Sequence, residues 1–148
     1  MSEADYETDL SAWCTAQAVL LRRRAAGERV NDGELDWLNL AEEIESLGRG
    51  QQRELRSRMK VLIQHLLKWH YQPALRSRSW RSTIATQREE IEDLLRDNPS
   101  LRPTLTKVLE EAYPAAQRKA LEETGLDALP ATSPFDAEQA LKGELPPL

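Results

Sequence analysis

Between Gln51 and Tyr71 the sequence places Leu55, Met59, Leu62, Leu66 and Trp69 in steps of four and three residues. At about 100° per residue these side chains fall in one narrow seam of an α-helix, and Ile63 and Leu67 widen it. Such a seam has to be buried against other structure. The rest of the chain offers no sheet to cover it. Strand-like runs of β-branched and aromatic residues are absent, and Leu, Ala, Glu and Arg, which favour helix, dominate. The chain therefore reads as all-α: a single-domain helical bundle of about five helices over residues 1–148, up-and-down in its core, with a short C-terminal extension. With 148 residues, 40% of them apolar and 30% charged, it is long enough to bury a core without disulfides or metal.

The remaining helices follow from the same periodicity. Helix one is expected from Thr8 to Ala26, on Leu10, Trp13, Cys14, Gln17, Leu20 and Leu21, with Thr8 as cap and Gly27 as stop. Asp32 in the Asn31–Gly33 turn is expected to cap helix two, Gly33 to Leu47. Gly48 and Gly50 then suggest a break or kink before helix three at Gln51–Tyr71, with one unbroken helix as the alternative. Pro73 ends helix three. Helix four begins near Ser77 or Ser79, carries Trp80, Ile84, Ile91, Leu94 and Leu95, and stops at Asp97–Pro99. Ser100 is expected to cap helix five, which Pro114 should kink or split and Gly125 should close. A short helix from Asp136 to Leu141 follows in a proline-rich tail. Residues 1–7 and 142–148 read as flexible termini. Short connections favour antiparallel neighbours.

Cys14 is the only cysteine, so an internal disulfide and a Cys-based zinc site are excluded. It lies on the apolar face of helix one, where it reads as a buried, inert thiol. The acidic N-terminus is unlike a signal peptide, and no apolar stretch approaches the roughly 18 residues of a membrane span. The expected location is cytoplasmic, away from membranes. Net charge is −5 but strongly polarised: Arg49 to Arg88 holds ten basic residues and one acid, Glu54, for +9 against −14 elsewhere. Acidic and basic helices packed together explain such blocks, and so does an anion-binding face.

Several blocks are more distinctive: YETDLSAW at Tyr6–Trp13, NLAEEIESLGR at Asn39–Arg49, LLKWHYQP at Leu66–Pro73 and RSRSWRSTIATQR at Arg76–Arg88, followed by NPSLRP at Asn98–Pro103 and EETGL at Glu122–Leu126. Together they resemble a bacterial family catalogued as domain of unknown function 29, from about Tyr6 to Leu141. The resemblance implies a stand-alone helical protein and supplies no catalytic residues. Pro114 departs from it, since similar sequences continue there as helix.

Two polar features stand out. On helix two, Trp37, Leu38, Leu40, Ala41, Ile44 and Leu47 make a wide apolar arc, with Glu45 inside it and Glu42 at its margin. A carboxylate in such an arc costs several kcal/mol unless a cation or donor meets it. If helices two and three form an antiparallel pair, Arg58, His65 and Gln72 are the partners to hand. Glu42, Glu45, Arg58, His65 and Gln72 thus form a candidate buried polar cluster, either a register-fixing pair or an acid–base or metal site. A di-metal bundle would need two Glu-x-x-His pairs, and the sequence has none, so no cofactor or metal is expected. The second feature is Arg76, Arg78, Trp80, Arg81 and Arg88, a serine-capped helix start able to hold an anion, with Trp69, Tyr71 and Trp80 near enough to stack a base. The alternative pairs these arginines with acidic helices and packs Trp80 in the core.

No Ser–His–Asp order, phosphate loop or zinc spacing is present. The leading reading is a protein-binding or regulatory module with a protein partner or self-association, rather than an enzyme. Nucleic-acid or anion binding through Arg76–Arg88 is the second reading. An enzyme or metal site using Glu42, Glu45 and His65 is the third.

Overall fold

A computed structural model describes residues 5–148, and among these every regular element is helical. The order is α1 (Leu10–Ala25), α2 (Trp37–Tyr71), α3 (Arg78–Asp97), α4 (Leu105–Thr124) and α5 (Ala137–Lys142). Short 3-10 turns lie at Asp32–Glu34, Pro73–Leu75 and Pro99–Thr104. The expectation of flexible termini falls partly on residues 1–4, outside the described residues. The chain divides into two compact units, Met1–Gly48 and Arg49–Leu148, and α2 contributes to both.

Helix starts follow their caps. Asp9, not Thr8, caps α1, accepting from the Ala12 backbone N–H at 3.0 Å. Thr8 instead donates its own N–H to Asp5. Asn31 holds the Asp32–Glu34 turn through the Gly33 N–H, so the next helix starts at Trp37 rather than Gly33. Of the two serines near which this helix was expected to begin, Ser77 rather than Ser79 caps α3. Ser100 does not cap α4: Pro99–Thr104 winds as a 3-10 segment, and the α-helix begins at Leu105. Asp136 and Gln139 form a reciprocal capping box on α5. Gly125 closes α4 at φ +70°, where a side chain would be strained.

At the two points where the sequence suggested a break or kink, the helix is not interrupted. Gly48 and Gly50 lie within the continuous helix α2, because their neighbours on both sides favour helix and a glycine costs only about 1 kcal/mol there. Pro114 lies within α4. It is exposed, as is Glu110 one turn earlier, so water can solvate the carbonyl that loses its N–H partner.

The second unit contains a true core. Leu55, Met59, Leu62, Ile63, Leu66, Leu67 and Trp69 of α2 are essentially inaccessible and pack with Ile84, Ile91 and Leu95 of α3 and Ala112, Ala116 and Ala120 of α4. Polar contacts give the directions. Arg58 meets Gln87 and Glu90, whereas Lys68 lies over Trp80, so α2 and α3 run antiparallel. Arg56 meets Glu111 and Lys68 meets Glu123, so α2 and α4 run parallel. This is the up-and-down order of a three-helix core, with α5 supplying Ala140 and Leu141. At the C-terminus, Trp69 Nε1 donates to the Pro146 carbonyl and Arg76 to that of Pro147.

The first unit is different. It buries only Trp13, Gln17 and Leu35 among its described residues. A polar network holds α1 to the chain before α2. The Gln17 amide donates to Glu34 O and accepts from Asp36 N–H, while Trp13 Nε1 and Asn39 both donate to the Asp36 carboxylate.

Candidate functional site

Within the first unit, residues 36, 39, 40 and 43 of the chain are partly buried. Asp36 receives Trp13, and Glu43 accepts a 2.8 Å hydrogen bond from the Tyr6 hydroxyl. These residues share a flank of α2 by helical spacing, so the side turned to α1 is largely polar. Glu43 pushes the Tyr6 phenol up to about 12, since the hydrogen bond to a carboxylate favours the protonated form. Donation from Asn39 and then Trp13 holds Asp36 below the usual carboxylate range.

The consequence is that several large apolar side chains of α2 face water, with Leu38 on a different side of the helix from Ile44 and Leu47. Leu38 is 86% exposed, Leu47 70%, Ile44 68% and Trp37 53%. This arc was expected to be buried and to trap Glu45. Glu42 and Glu45 are exposed instead, as are Trp37, Leu38, Ala41, Ile44 and Leu47 around them, so among the described residues this arc is left uncovered. On α1, Leu10, Val19 and Leu21 are exposed as well, and so is Cys14, which corrects its reading as a buried thiol. An open groove of about 940 Å³ runs beside these residues, lined by Val19, Leu20, Trp37 and Leu38 together with Asp36 and Glu34.

The proposed cluster of Glu42, Glu45, Arg58, His65 and Gln72 depended on a reversal at Gly48–Gly50. Because α2 does not reverse, the two carboxylates are not brought opposite Arg58 or His65. Arg58 pairs with Glu54 one turn away and with Gln87 and Glu90 of α3. His65 places Nδ1 2.9 Å from the Val61 carbonyl on its own helix. Burial holds its pKa below the usual histidine value. Gln72 begins the turn after α2, its N–H on Lys68 O.

The second unit does hold a polar cluster, made of other residues, in which Gln64 and Lys68 are buried and Glu123 is partly open to water. Lys68 Nζ lies 2.7 Å from Glu123 Oε2, which also accepts from the Gln64 amide at 2.8 Å, and Lys68 sits 4.8 Å over the Trp80 ring. Hydrogen bonding from Lys68 holds the Glu123 carboxyl below its ordinary range. The polar residues in the run VLIQHLLKWH were a sequence signal for Gln64 and Lys68. Their partner lies 55 residues from Lys68, and no spacing rule links such a pair. The cluster anchors α4 to α2. Among the described residues no three His, Cys, Asp or Glu side chains converge as a metal-holding group.

The Arg76–Arg88 face is divided. Arg76 donates to the Trp69 and Pro147 carbonyls. Arg88 reaches the Ala140 and Gln139 carbonyls, and burial lowers its pKa. Both guanidiniums therefore secure backbone. Arg78 and Arg81 are exposed, with Arg81 5.5 Å from the Trp69 ring centre. Trp69 is fully buried and Trp80 packs against the core, so neither presents an open stacking face. Tyr71 is the exposed aromatic of that group.

No helix of the described residues is long and apolar enough to cross a membrane. No curated protein and no solved structure matches the chain. The family described as Domain of unknown function DUF29 matches residues 6–145, nearly the whole length, and the chain belongs to that family.

Proposed function

We propose that this protein is a protein-interaction module and that it engages its partner through the first unit. The observation that carries this reading is the distribution of apolar side chains left in water. Of the ten large exposed apolar residues among the described residues, seven belong to the first unit: Leu10, Val19, Leu21, Trp37, Leu38, Ile44 and Leu47. Scattered single exposures are ordinary, but a concentration on one small unit marks an interaction surface. Burying such a side chain contributes about 1.5–3 kcal/mol, so a partner covering four of them gains enough to offset ordering costs. The second unit already buries its seam and gives a scaffold with no comparable surface.

The test is affinity capture from the host extract with the wild-type chain and with Leu38→Ser/Ile44→Ser/Leu47→Ser. All three residues are exposed, so the variant should melt like the wild type. The reading requires a stoichiometric protein that the wild type retains and the variant loses. The same bound set for both would refute it.

A nucleic-acid reading keeps only the exposed Arg78 and Arg81, together with Tyr71, in its support. Two of its four arginines are engaged with carbonyl groups.

A further inference from the structure

We infer that the ligand of the first unit is a basic amphipathic helix of a partner protein, an inference that rests on the interaction reading above. Trp37, Leu40, Ile44 and Leu47 follow one another in steps of three, four and three, the spacing of a helix-packing seam. Leu40 is partly buried, while the other three stand in water, so the seam is formed but not covered. It spans about 15 Å of helix axis, roughly three turns, which matches the i, i+3 and i+7 anchors of a docked helix.

Charge decides which helix fits. Residues 1–48 carry eleven acids against four bases, a net of −7. At 100° per residue Glu45 lies to one side of the seam and Asp36 and Glu43 to the other, while Glu42 falls on the opposite face of the helix. The Asp36 and Glu43 carboxylates accept hydrogen bonds from neutral donors, Trp13, Asn39 and Tyr6, so these contacts leave their negative charge in place. The adjoining groove adds Glu34 and Asp5. An apolar stripe bordered by carboxylates on both sides complements a helix with one apolar face and Lys or Arg along its margins. A second copy of the same surface would set carboxylates against carboxylates, and an acidic peptide would meet the same repulsion.

Three synthetic 18-residue peptides test this by calorimetric titration of the full chain. One is a Leu/Lys amphipathic helix, one has Glu in place of every Lys, and one has the Leu/Lys composition in scrambled order. The amphipathic Leu/Lys peptide should bind at least about tenfold more tightly than either other peptide, and shift Trp37 emission to the blue. Leu38→Ser/Ile44→Ser/Leu47→Ser should weaken it at least about tenfold while leaving the melting curve unchanged. Equal affinity for the scrambled peptide, or for the triple variant, would show charge attraction alone and overturn the inference. A wild-type dimer that the triple variant dissociates would make a second copy the occupant and likewise overturn it. Loss of peptide binding together with a protein captured from extract only by the wild type would sink the basic helix and leave the interaction reading standing. Capture unchanged in the triple variant would remove both.

Discussion

Lys68 Nζ and Glu123 Oε2 lie 2.7 Å apart, with the lysine almost wholly enclosed between α2, α4 and the Trp80 ring. Glu123→Ala leaves that ammonium without its carboxylate and should destabilise by about 1–3 kcal/mol in chemical denaturation. Glu123→Gln, which can still accept hydrogen bonds, should cost less. The sign of the pH effect follows from the lowered Glu123 pKa. Its contribution is present above the unfolded value of 4.5 and is lost as pH falls through the lower folded value. Acid unfolding of the Gln variant should therefore show less stability change below pH 4.5 than the wild type.

His65 and His70 offer a second pH probe. Burial is the largest cause lowering both below 6.5. In each case the unfolded chain takes up the proton first, so stability falls as pH drops below about 6.5 through the folded values. Proton resonances of both imidazoles should titrate below that ordinary value. Midpoints at or above it would mean open, solvated rings.

Leu62 and Leu66 sit at the centre of the buried α2 seam, fully or almost fully inaccessible. Either Leu→Ala change should cost about 2–5 kcal/mol, as large-to-small substitutions in packed cores do. A melting curve near that of the wild type for both would contradict the packing described for the second unit.

The exposed half of α2 should behave in the opposite way. Leu38→Ser and Glu45→Ala replace side chains already in water, so each should fall within about 0.5 kcal/mol of wild type. A loss of 3 kcal/mol from Glu45→Ala would restore the buried pairing that the wheel position of this residue suggested.

Arg88 holds α5 by donating to Ala140 O at 2.9 Å and Gln139 O at 3.3 Å. Arg88→Met keeps the aliphatic stem and removes both donors. It should cost about 1–3 kcal/mol and speed amide exchange in residues 137–142 ahead of the core helices. Uniform exchange across all helices would mean that α5 unfolds only with the core.

How far the sequence could be read differs between residues of the same helix. Leu55 through Trp69 announced their seam by spacing, and the structure buries every one of them. Trp37, Ile44 and Leu47 carry the same spacing and remain in water. Periodicity states which side chains share a face, because that follows from 3.6 residues per turn. It does not state whether another element lies against that face. The Gly48–Gly50 step shows the same limit: two glycines weaken a helix, but continuous helix formers on either side outweigh them. Glu45 was misplaced for that reason, since its burial was inferred from an arc with no helix over it.

By itself, then, the sequence determined the helical class, the buried seam of α2, a serine-capped start near Ser77 or Ser79, the Gly125 boundary, the short helix α5 and the acidic charge of the first 48 residues. All of these depend on neighbours within one or two turns, or on composition. Tertiary structure alone decided that Lys68 meets Glu123, that Arg76 and Arg88 close on carbonyl groups far along the chain, and that the apolar stripe of Trp37–Leu47 stays open. Each depends on which surfaces the packed helices bring together, and no local spacing encodes that choice.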